Sequence, residues 1–448
     1  MCSRARMAAG GPTDNPEEYT MIARWRWALG QMTKRLWFRA SLFSLTGIAT
    51  ALIAIVFKDF VPADLPTRIG ADSVDKILAI IASSMLAVTT FSLSTMVSAY
   101  GAASSGVTPR ATSLVMEDAT TQNALATFIG SFLFSLVGII ALSTGAYGAQ
   151  GRVVLFAVTI VMIILIVYTL LRWIDHLSKL GRVGETIDRV EAAALQSLEN
   201  RARWPYMGAA PYPLDLMTPP TAATVRSEDT GYVQHIDVAA LGALAEKHAL
   251  QIYLSVLPGA FLHLGADLAW FTADSDGQAK AQADLAAEIR AAVTIGLRRT
   301  FEQDPRFGIS VLAEIASRAL SPATNDSGTV IDVIGRGVRC FTAWHVHSTT
   351  DSTSREIDPH CRRVHVRGLQ VADLFDDFFT FVARDGAGLV EVDIRMIKAL
   401  ISLNEISPQT FAAQCRLHAT RLLKRADSAL TLDEDKQRLR ELAKPLLG

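Results

Sequence analysis

The sequence predicts an α-helical membrane protein: four transmembrane helices, then a mainly α-helical cytoplasmic region that includes a small β-containing module. Three observations support this fold class. Half of the 448 residues are hydrophobic. The long apolar runs are concentrated before residue 175, whereas the remainder has the composition of a soluble protein. The chain is also too long for one compact core, which indicates two or three structural units.

The second predicted span, residues 77–100, carries no charge and is long enough to cross a hydrocarbon core of about 30 Å as a helix. One helical face carries small and hydroxyl residues spaced three or four apart, here called the small-residue stripe: Ser83, Ala87, Thr90, Ser94 and Ser98. In lipid, such a stripe lets another helix approach closely. Alternatively, several copies bring their stripes together to line a pore.

The predicted organisation has five segments. They are an N-terminal tail with an interfacial helix (1–36), a membrane domain (37–175), a connecting helix and linker (176–222), a small α+β module (223–275) and a mainly helical cytoplasmic domain (276–448). The four spans of the membrane domain are predicted at about 40–57, 77–100, 124–147 and 153–171.

Charge patterning predicts the orientation and excludes some functions. Basic residues are concentrated before the first span and after the fourth, which places both termini in the cytoplasm, at a bacterial inner membrane. No ionisable residue lies deep in any predicted span, and this argues against a proton-coupled pump. The formal net charge of −1 gives no case for nucleic-acid binding. The four scattered cysteines are typical of reduced thiols.

In the second half, short strands are predicted at 231–236 and 251–257, with Gly and Pro at the corners. This pattern is typical of a small barrel-like or sandwich module. Helical periodicity follows, and it predicts one helix over 281–297. A further short strand is predicted at 363–366.

The turn at 321–329 and its flanks form the best candidate for a specific site. Asn325 and Asp326 suit an N-cap for the following helix. Four charged residues on the flanks are expected to form an ion-pair set around the turn: Asp304, Arg306, Glu314 and Arg318. The set is interpreted either as a capped, salt-bridged helix junction or as a ligand or ion site.

Several histidines and one cysteine resemble a metal cluster: His345, His347, His360, Cys361 and His365. A His-x-His pair on a strand would place both rings on one face, as in some zinc sites. No HExxH or Cys-x-x-Cys motif accompanies the pair, so we expect no metal centre and no cofactor. The sequence contains neither a Walker phosphate loop nor a Gly-x-Ser-x-Gly elbow, so we expect no catalytic residues and no enzymatic activity.

Three stretches of the second half resemble those of a known family. They are Asp304-Pro-Arg-Phe-Gly, the run from Leu312 to Asp326, and Val371-Ala-Asp-Leu-Phe-Asp-Asp with the later Ala383-Arg-Asp-Gly-Ala. With them the chain resembles the domain-of-unknown-function 2254 group of bacterial membrane proteins. The resemblance covers most of the chain and implies four N-terminal spans and a large C-terminal domain, but no activity. The family often has Asn-Asp-Pro where this chain has Asn325-Asp326-Ser327.

Two functions fit these patterns. The first is an oligomeric channel or permeation protein that is gated by its cytoplasmic domain, with the lipid bilayer and further copies of the chain as partners. The second is a membrane-anchored ligand sensor or scaffold without transport. A pore requires the small-residue stripe to face water, whereas a scaffold requires it to pack against another helix.

Overall fold

A computed structural model describes residues 36–56, 71–116, 118–144, 148–179, 181–213, 215–273, 279–350 and 361–448. The interfacial helix predicted within 1–36 lies almost wholly outside these residues. The described chain divides into two compact units, one ending at Val190 and one formed by Glu191–Gly448.

The first unit is helical throughout its described residues. Its helices are α1 (Leu36–Val56), α2 (Ala71–Gly106), the short α3 (Thr112–Met116), α4 (Ala119–Ser143) and α5 (Gly148–Leu177). Within the described residues, three stretches have the length and composition to cross a membrane: Ser73–Ala102, Thr112–Ser143 and Gln150–Leu177. The apolar part of α1, Ala40–Thr50, is shorter than a full span. Two of the four predicted spans, 77–100 and 153–171, lie wholly within these stretches, and the predicted span 124–147 overlaps the stretch that ends at Ser143.

Helix α4 is the centre of this unit, because α1, α2 and α5 all pack against it. Small residues permit the close approach: a Cβ atom added at Gly130 would lie 3.0 Å from the carbonyl oxygen of Phe43 on α1. Large buried side chains such as Phe128 and Phe134 fill the remaining space. One buried polar contact joins α5 to α2, where the indole Nε1 of Trp173 donates to Oγ of Ser92 at 2.9 Å.

A charged cluster lies where α4 begins. Asp118 caps α4 by accepting a hydrogen bond from the backbone N–H of Thr121. Its carboxylate also lies 2.8 Å from Nε2 of His176 and 3.2 Å from Nη1 of Arg189. Arg189 belongs to the next helix, α6 (Val183–Arg203), so one carboxylate ties together three helical segments.

Helix α6 contributes to both units. Its apolar residues Ile187, Val190, Ala194 and Leu198 are buried and keep helical spacing. Glu191 lies on the same face and is also buried, but it is paired. Its carboxylate lies 2.8 Å from Nη1 of Arg336 and 2.6 Å from Nε of Arg339. This ion pair fixes α6 to the helix that carries both arginines, within the second unit.

The second unit begins with two sheets. The strands are β1 (Ala210–Pro211), β2 (Ala223–Arg226), β3 (Gly231–Ile236), β4 (Leu250–Leu254), β5 (Phe261–Leu262), β6 (Asp267–Ala273), β7 (Val293–Gly296) and β8 (Val364–Val366). The first sheet has the order β1-β8-β4-β6-β2, and the second has the order β5-β3-β7. In the first sheet, β1, β8 and β4 are parallel to one another, while β6 is antiparallel to both β4 and β2.

Alternation along β4 sets the two faces of the first sheet. Leu250, Ile252 and Leu254 are buried, whereas Gln251 and Tyr253 point to the other face. The buried face packs on α7 (Val238–Lys247) and shares one core with the second sheet and α8 (Ala279–Ala291). The prediction of one helix over 281–297 is wrong for its last part, because residues 293–296 form strand β7 and pair with β3.

Six further helices lie in the described part of the second unit. They are α9 (Pro305–Ala319), α10 (Ser327–Thr350), α11 (Val371–Asp385), α12 (Val390–Ile406), α13 (Pro408–Ala429) and α14 (Asp433–Leu447). Their core contains a group of buried rings: Phe341, Phe375, Phe378, Phe379 and Phe411. Helix α9 packs closely on α6, since a Cβ atom added at Gly308 would lie 2.6 Å from Cβ of Ala194. Only glycine at position 308 therefore allows α9 and α6 to approach this closely.

Candidate functional site

A cavity of about 980 Å³ opens in the second unit, and we call it the strand-end pocket. The carboxyl ends of the three parallel strands β1, β8 and β4 contribute to its wall. The residues that follow these strands, Tyr212, Arg367 and Ser255, all line it. In open sheets, the carboxyl ends of parallel strands are where ligands usually bind, because loops there carry side chains towards a shared edge.

Four helices of the described chain also contribute to the wall, and one of them, α13, supplies Thr410. The end of α6 contributes Arg201 and, just beyond it, Tyr206. Helix α10 contributes Trp344 and His345. Gln370 and Asp373 come from the start of α11. The pocket therefore combines aromatic rings and hydroxyl groups with two guanidinium groups.

Arg201 is the least expected of the lining residues. Only 6% of its surface is exposed, and the described residues supply it with one hydrogen bond, from Nη2 to the carbonyl oxygen of Gln303 at 3.0 Å. Burial lowers the pKa of Arg201 to about 10, against the opposing effect of the Asp304 carboxylate. Asp304 forms its own bidentate pair with Arg299, at 2.7 and 3.0 Å. The Arg201 guanidinium is thus buried without an ion pair among the described residues.

The second guanidinium belongs to an aromatic wall beside the pocket. Arg367 lies over the ring of Tyr212, 5.0 Å from its centroid. The hydroxyl of Tyr212 lies 3.2 Å from the donor Nε1 of Trp270. On the same sheet face, the ring of Tyr253 is stacked between Trp270 and His365, with centroid distances of 3.9 and 4.3 Å. These contacts hold Tyr212 and Arg367 in place at the pocket edge.

Among the described residues, Asp373 is the only carboxylate that lines the strand-end pocket, and it is already paired. Nη1 of Arg306 lies 2.9 Å from its Oδ2, and the same guanidinium makes a bidentate contact with Asp377 at 2.7 and 3.0 Å. These two carboxylates raise the pKa of Arg306, so its charge is retained. Because Arg306 compensates the charge of Asp373, the pocket is electrostatically positive around Arg201 and Arg367.

The structure does not gather the predicted ion-pair set around the turn at 321–329. Asp304 caps the start of α9 and pairs with Arg299, while Arg306 contacts Asp373 and Asp377 of α11. The reason is that α9 separates these residues from the turn, which lies beyond its opposite end. Glu314 and Arg318 lie within α9 itself.

The turn itself is exposed and locally bonded. Asn325 has a φ of 46°, a left-handed conformation that asparagine tolerates. Asp326 accepts hydrogen bonds from the backbone N–H of Thr329 at 3.0 Å and from its hydroxyl at 2.6 Å, and these bonds lower the pKa of Asp326. Both residues thus act in starting α10.

The five residues of the small-residue stripe are all exposed on the surface of the single chain. The opposite face of α2, with Val74, Leu78, Ile81 and Met85, is the buried one. Hydroxyls of the stripe bond to their own helix: Ser83 donates to the Ala79 carbonyl and Ser98 to the Ser94 carbonyl, both at 3.0 Å. The hydroxyl groups of Ser83, Thr90 and Ser98 are therefore satisfied within their own helix.

The His-x-His pair does not lie on a strand. His345 and His347 lie in α10, where residues two apart point to nearly opposite sides of the helix. His347 lies 3.5 Å from a carboxylate oxygen of Glu199, and His345 lines the pocket. Across the described ranges, no three His, Cys, Asp or Glu side chains are placed to hold a metal ion. His360 lies outside those ranges.

The pocket residues Arg201, Trp344 and Arg367 were not predicted from the sequence. A signal existed for Arg201, because it follows Leu198 by three positions and Ala194 by seven, and so falls on the apolar face of α6. A charged residue at such a position requires a partner. Trp344 and Arg367 gave no comparable signal, because their elements meet only through the fold.

Comparisons with known proteins identify the family. A family model described as "Predicted membrane protein (DUF2254)" matches residues 33–402, which confirms the resemblance drawn from the motifs. Uncharacterized proteins of Mycobacterium bovis and Mycobacterium tuberculosis are 26% identical over 270 residues, covering 58% of this chain and 50% of theirs. The match thus spans about half the length of these relatives. No solved structure matches the chain. Because the family model covers most of the sequence, the protein belongs to the DUF2254 family of predicted membrane proteins.

Proposed function

We propose that this protein is a membrane-anchored receptor that binds an anionic small molecule in the strand-end pocket. One observation carries the proposal: the Arg201 guanidinium is buried at the pocket wall without an ion pair among the described residues. A buried charge is costly unless it is paired, and a guanidinium is the side chain best suited to bind a carboxylate or phosphate in a bidentate manner. An anionic ligand would supply the missing partner.

The surroundings of Arg201 also favour a negatively charged ligand. Arg367 adds a second guanidinium, and Asp373, the only carboxylate among the lining residues that the structure describes, is compensated by Arg306. Helix α11 begins at the pocket, and its N-cap residue Gln370 makes no side-chain capping hydrogen bond. Backbone N–H groups at an uncapped helix N-terminus attract anions.

The receptor proposal is tested by removing the charge of Arg201. Purified full-length protein in detergent is titrated with inorganic phosphate and with citrate while Tm is recorded. A ligand at 100 times its Kd stabilises the folded state by about 2.7 kcal/mol. We expect Arg201→Met to abolish the increase in Tm. Without ligand the same variant should unfold at a higher temperature than the parent, because it removes an unpaired buried charge.

Arg203→Met is the matched control. Arg203 lies two residues further along the same helix but is exposed and does not line the pocket. It should respond to the anions as the parent does. If Arg201→Met and Arg203→Met retain the same increase in Tm, the receptor proposal is wrong.

A second candidate function, an oligomeric channel, is favoured by the exposure of the small-residue stripe on the single chain. In this proposal, several copies pack stripe to stripe around a common axis. Ser94→Leu should disturb cross-linked oligomers and any conductance in planar bilayers, whereas Ile164→Leu, on an exposed apolar part of α5, should not. Cysteines placed at Thr90 and Ser94 should react with water-soluble thiol reagents. A strictly monomeric protein with unreactive cysteines would exclude the channel.

We also propose four spans at the bacterial inner membrane with both termini in the cytoplasm, on the basis of the basic flanks. Reporter fusions after Gly70 and Gly148 should report the outside, and fusions after Arg182 the inside. An outside result after Arg182 would contradict this topology.

A further inference from the structure

We propose that the anion bound by the strand-end pocket is a nucleoside monophosphate, with its phosphate at Arg201 and its base against Trp344. This inference rests on the receptor function proposed above and names the chemical class of its ligand. It follows from rings at the pocket wall on which no described residue stacks, and from polar side chains there whose hydrogen-bonding groups the described residues leave unpaired.

The base end is indicated by Trp344. Its indole is half-buried at the pocket wall, and no described residue stacks on it or accepts a hydrogen bond from its Nε1. Trp270 is different: Tyr253 stacks on its ring and its Nε1 bonds to Tyr212. Tyr206, also at the wall, likewise has no ring partner among the residues described. Planar nucleobases stack on such rings with little dependence on base identity.

The phosphate end is indicated by Arg201 together with the start of α11. Arg201 has five N–H donors, and a single hydrogen bond to Gln303 engages one of them within the described chain. The 15-residue helix α11 begins at the pocket without a side-chain cap. A phosphate has enough acceptor oxygens to bond the guanidinium and backbone N–H groups at once. A Walker loop is absent from the sequence, so these groups would have to hold the phosphate.

Polar groups suited to a sugar lie at the same wall. Ser255 follows β4 and Gln370 precedes α11, and both line the pocket. Neither side chain has a hydrogen-bond partner among the described residues. The cavity of about 980 Å³ also has ample room for a base, a ribose and a phosphate together. A smaller anion would leave the ring and the hydroxyl groups unused.

The test compares probes that carry one end of the ligand or both. Full-length protein in detergent is titrated by calorimetry with the four ribonucleoside 5′-monophosphates, their nucleosides and ribose 5-phosphate. At least one monophosphate should bind ten or more times more tightly than its nucleoside and than ribose 5-phosphate. Arg201→Met should remove the advantage over the nucleoside. Trp344→Leu should remove the advantage over ribose 5-phosphate.

Two matched variants control for general damage. Arg203→Met and Trp204→Leu change exposed residues of the same types that do not line the pocket, and both should bind as the parent does. If ribose 5-phosphate binds as tightly as every monophosphate and its binding needs Arg201, the nucleotide inference is overturned while the anion receptor stands. If no probe binds, or binding is independent of Arg201, both are overturned.

Discussion

Asp393 is expected to make the protein less stable as the pH rises, and Asp393→Asn should remove this dependence. The side chain lies in the first turn of α12 with 0% exposure, and neither carboxyl oxygen has a hydrogen-bond partner among the described residues. Burial raises the pKa of Asp393 to about 7, and the Glu391 carboxylate adds to the rise. At neutral pH, folding therefore requires either proton uptake or the burial of an unpaired charge.

The size of the effect follows from the pKa difference between the unfolded and folded states. A rise of about three pKa units makes the ionised form cost roughly 4 kcal/mol of unfolding free energy when the pH is well above 7. The cost is absent below about pH 4, and about 3 kcal/mol of it develops between pH 5 and pH 8. The helix N-terminus opposes this by only about 0.3–1 kcal/mol, so desolvation determines the sign.

The measurement is Tm of the purified full-length protein in detergent from pH 5 to pH 8. For a unit of this size, 1 kcal/mol corresponds to about 2–4 °C, so Asp393→Asn should gain about 6–12 °C on the parent across this range. Glu405→Gln, on an exposed position of the same helix, is the control and should follow the parent. Parallel pH profiles for the parent and Asp393→Asn would refute the reasoning.

Three further changes test the packing by Tm. Gly308→Ala should lower stability by about 1–3 kcal/mol relative to Gly335→Ala, because only the first Cβ atom meets another helix; equal shifts would contradict this. Ser92→Ala should cost about 1–3 kcal/mol by leaving the Trp173 indole N–H without its acceptor, and a Trp173→Phe background should remove most of that cost. Glu191→Gln should cost about 1–3 kcal/mol, because Arg339 and Arg336 each lose a charged acceptor while Arg336 keeps Asp332; an unchanged Tm would show that this ion pair does not hold α6.

The helices of the first unit were the part of the fold that the sequence predicted best, because hydropathy alone finds long apolar helices. Two predicted spans lie within full-length apolar stretches of the described residues, a third overlaps such a stretch as far as Ser143, and the stretch Ala40–Thr50 is shorter. The sequence could not show which face of α2 is buried. Small residues pack well, but at α2 the larger residues Leu78 and Met85 point inward, while Ser94 is exposed.

The strand-end pocket was harder to predict from the sequence, because it depends on contacts between distant parts of the chain. Arg201 and Arg367 reach one cavity only after β8 has joined β1 and β4. Local periodicity also failed at residues 293–296, where partners on β3 override a helical pattern. The buried charge of Asp393 was not predicted, although Asp393 precedes the buried Met396 by three positions and Leu400 by seven and so lies on the apolar face of α12.

The three-residue strand β8 also has a consequence for synthesis and folding. It lies between β1 and β4, pairing Val364 with Ile252 and Val366 with Pro211. While the chain grows on the ribosome, this part of the sheet stays incomplete until more than a hundred residues after β4 have been made, and one edge of β4 remains unpaired. Chains that end before residue 364 would carry that open edge permanently. We expect them to aggregate even though every residue of β4 and β6 is present.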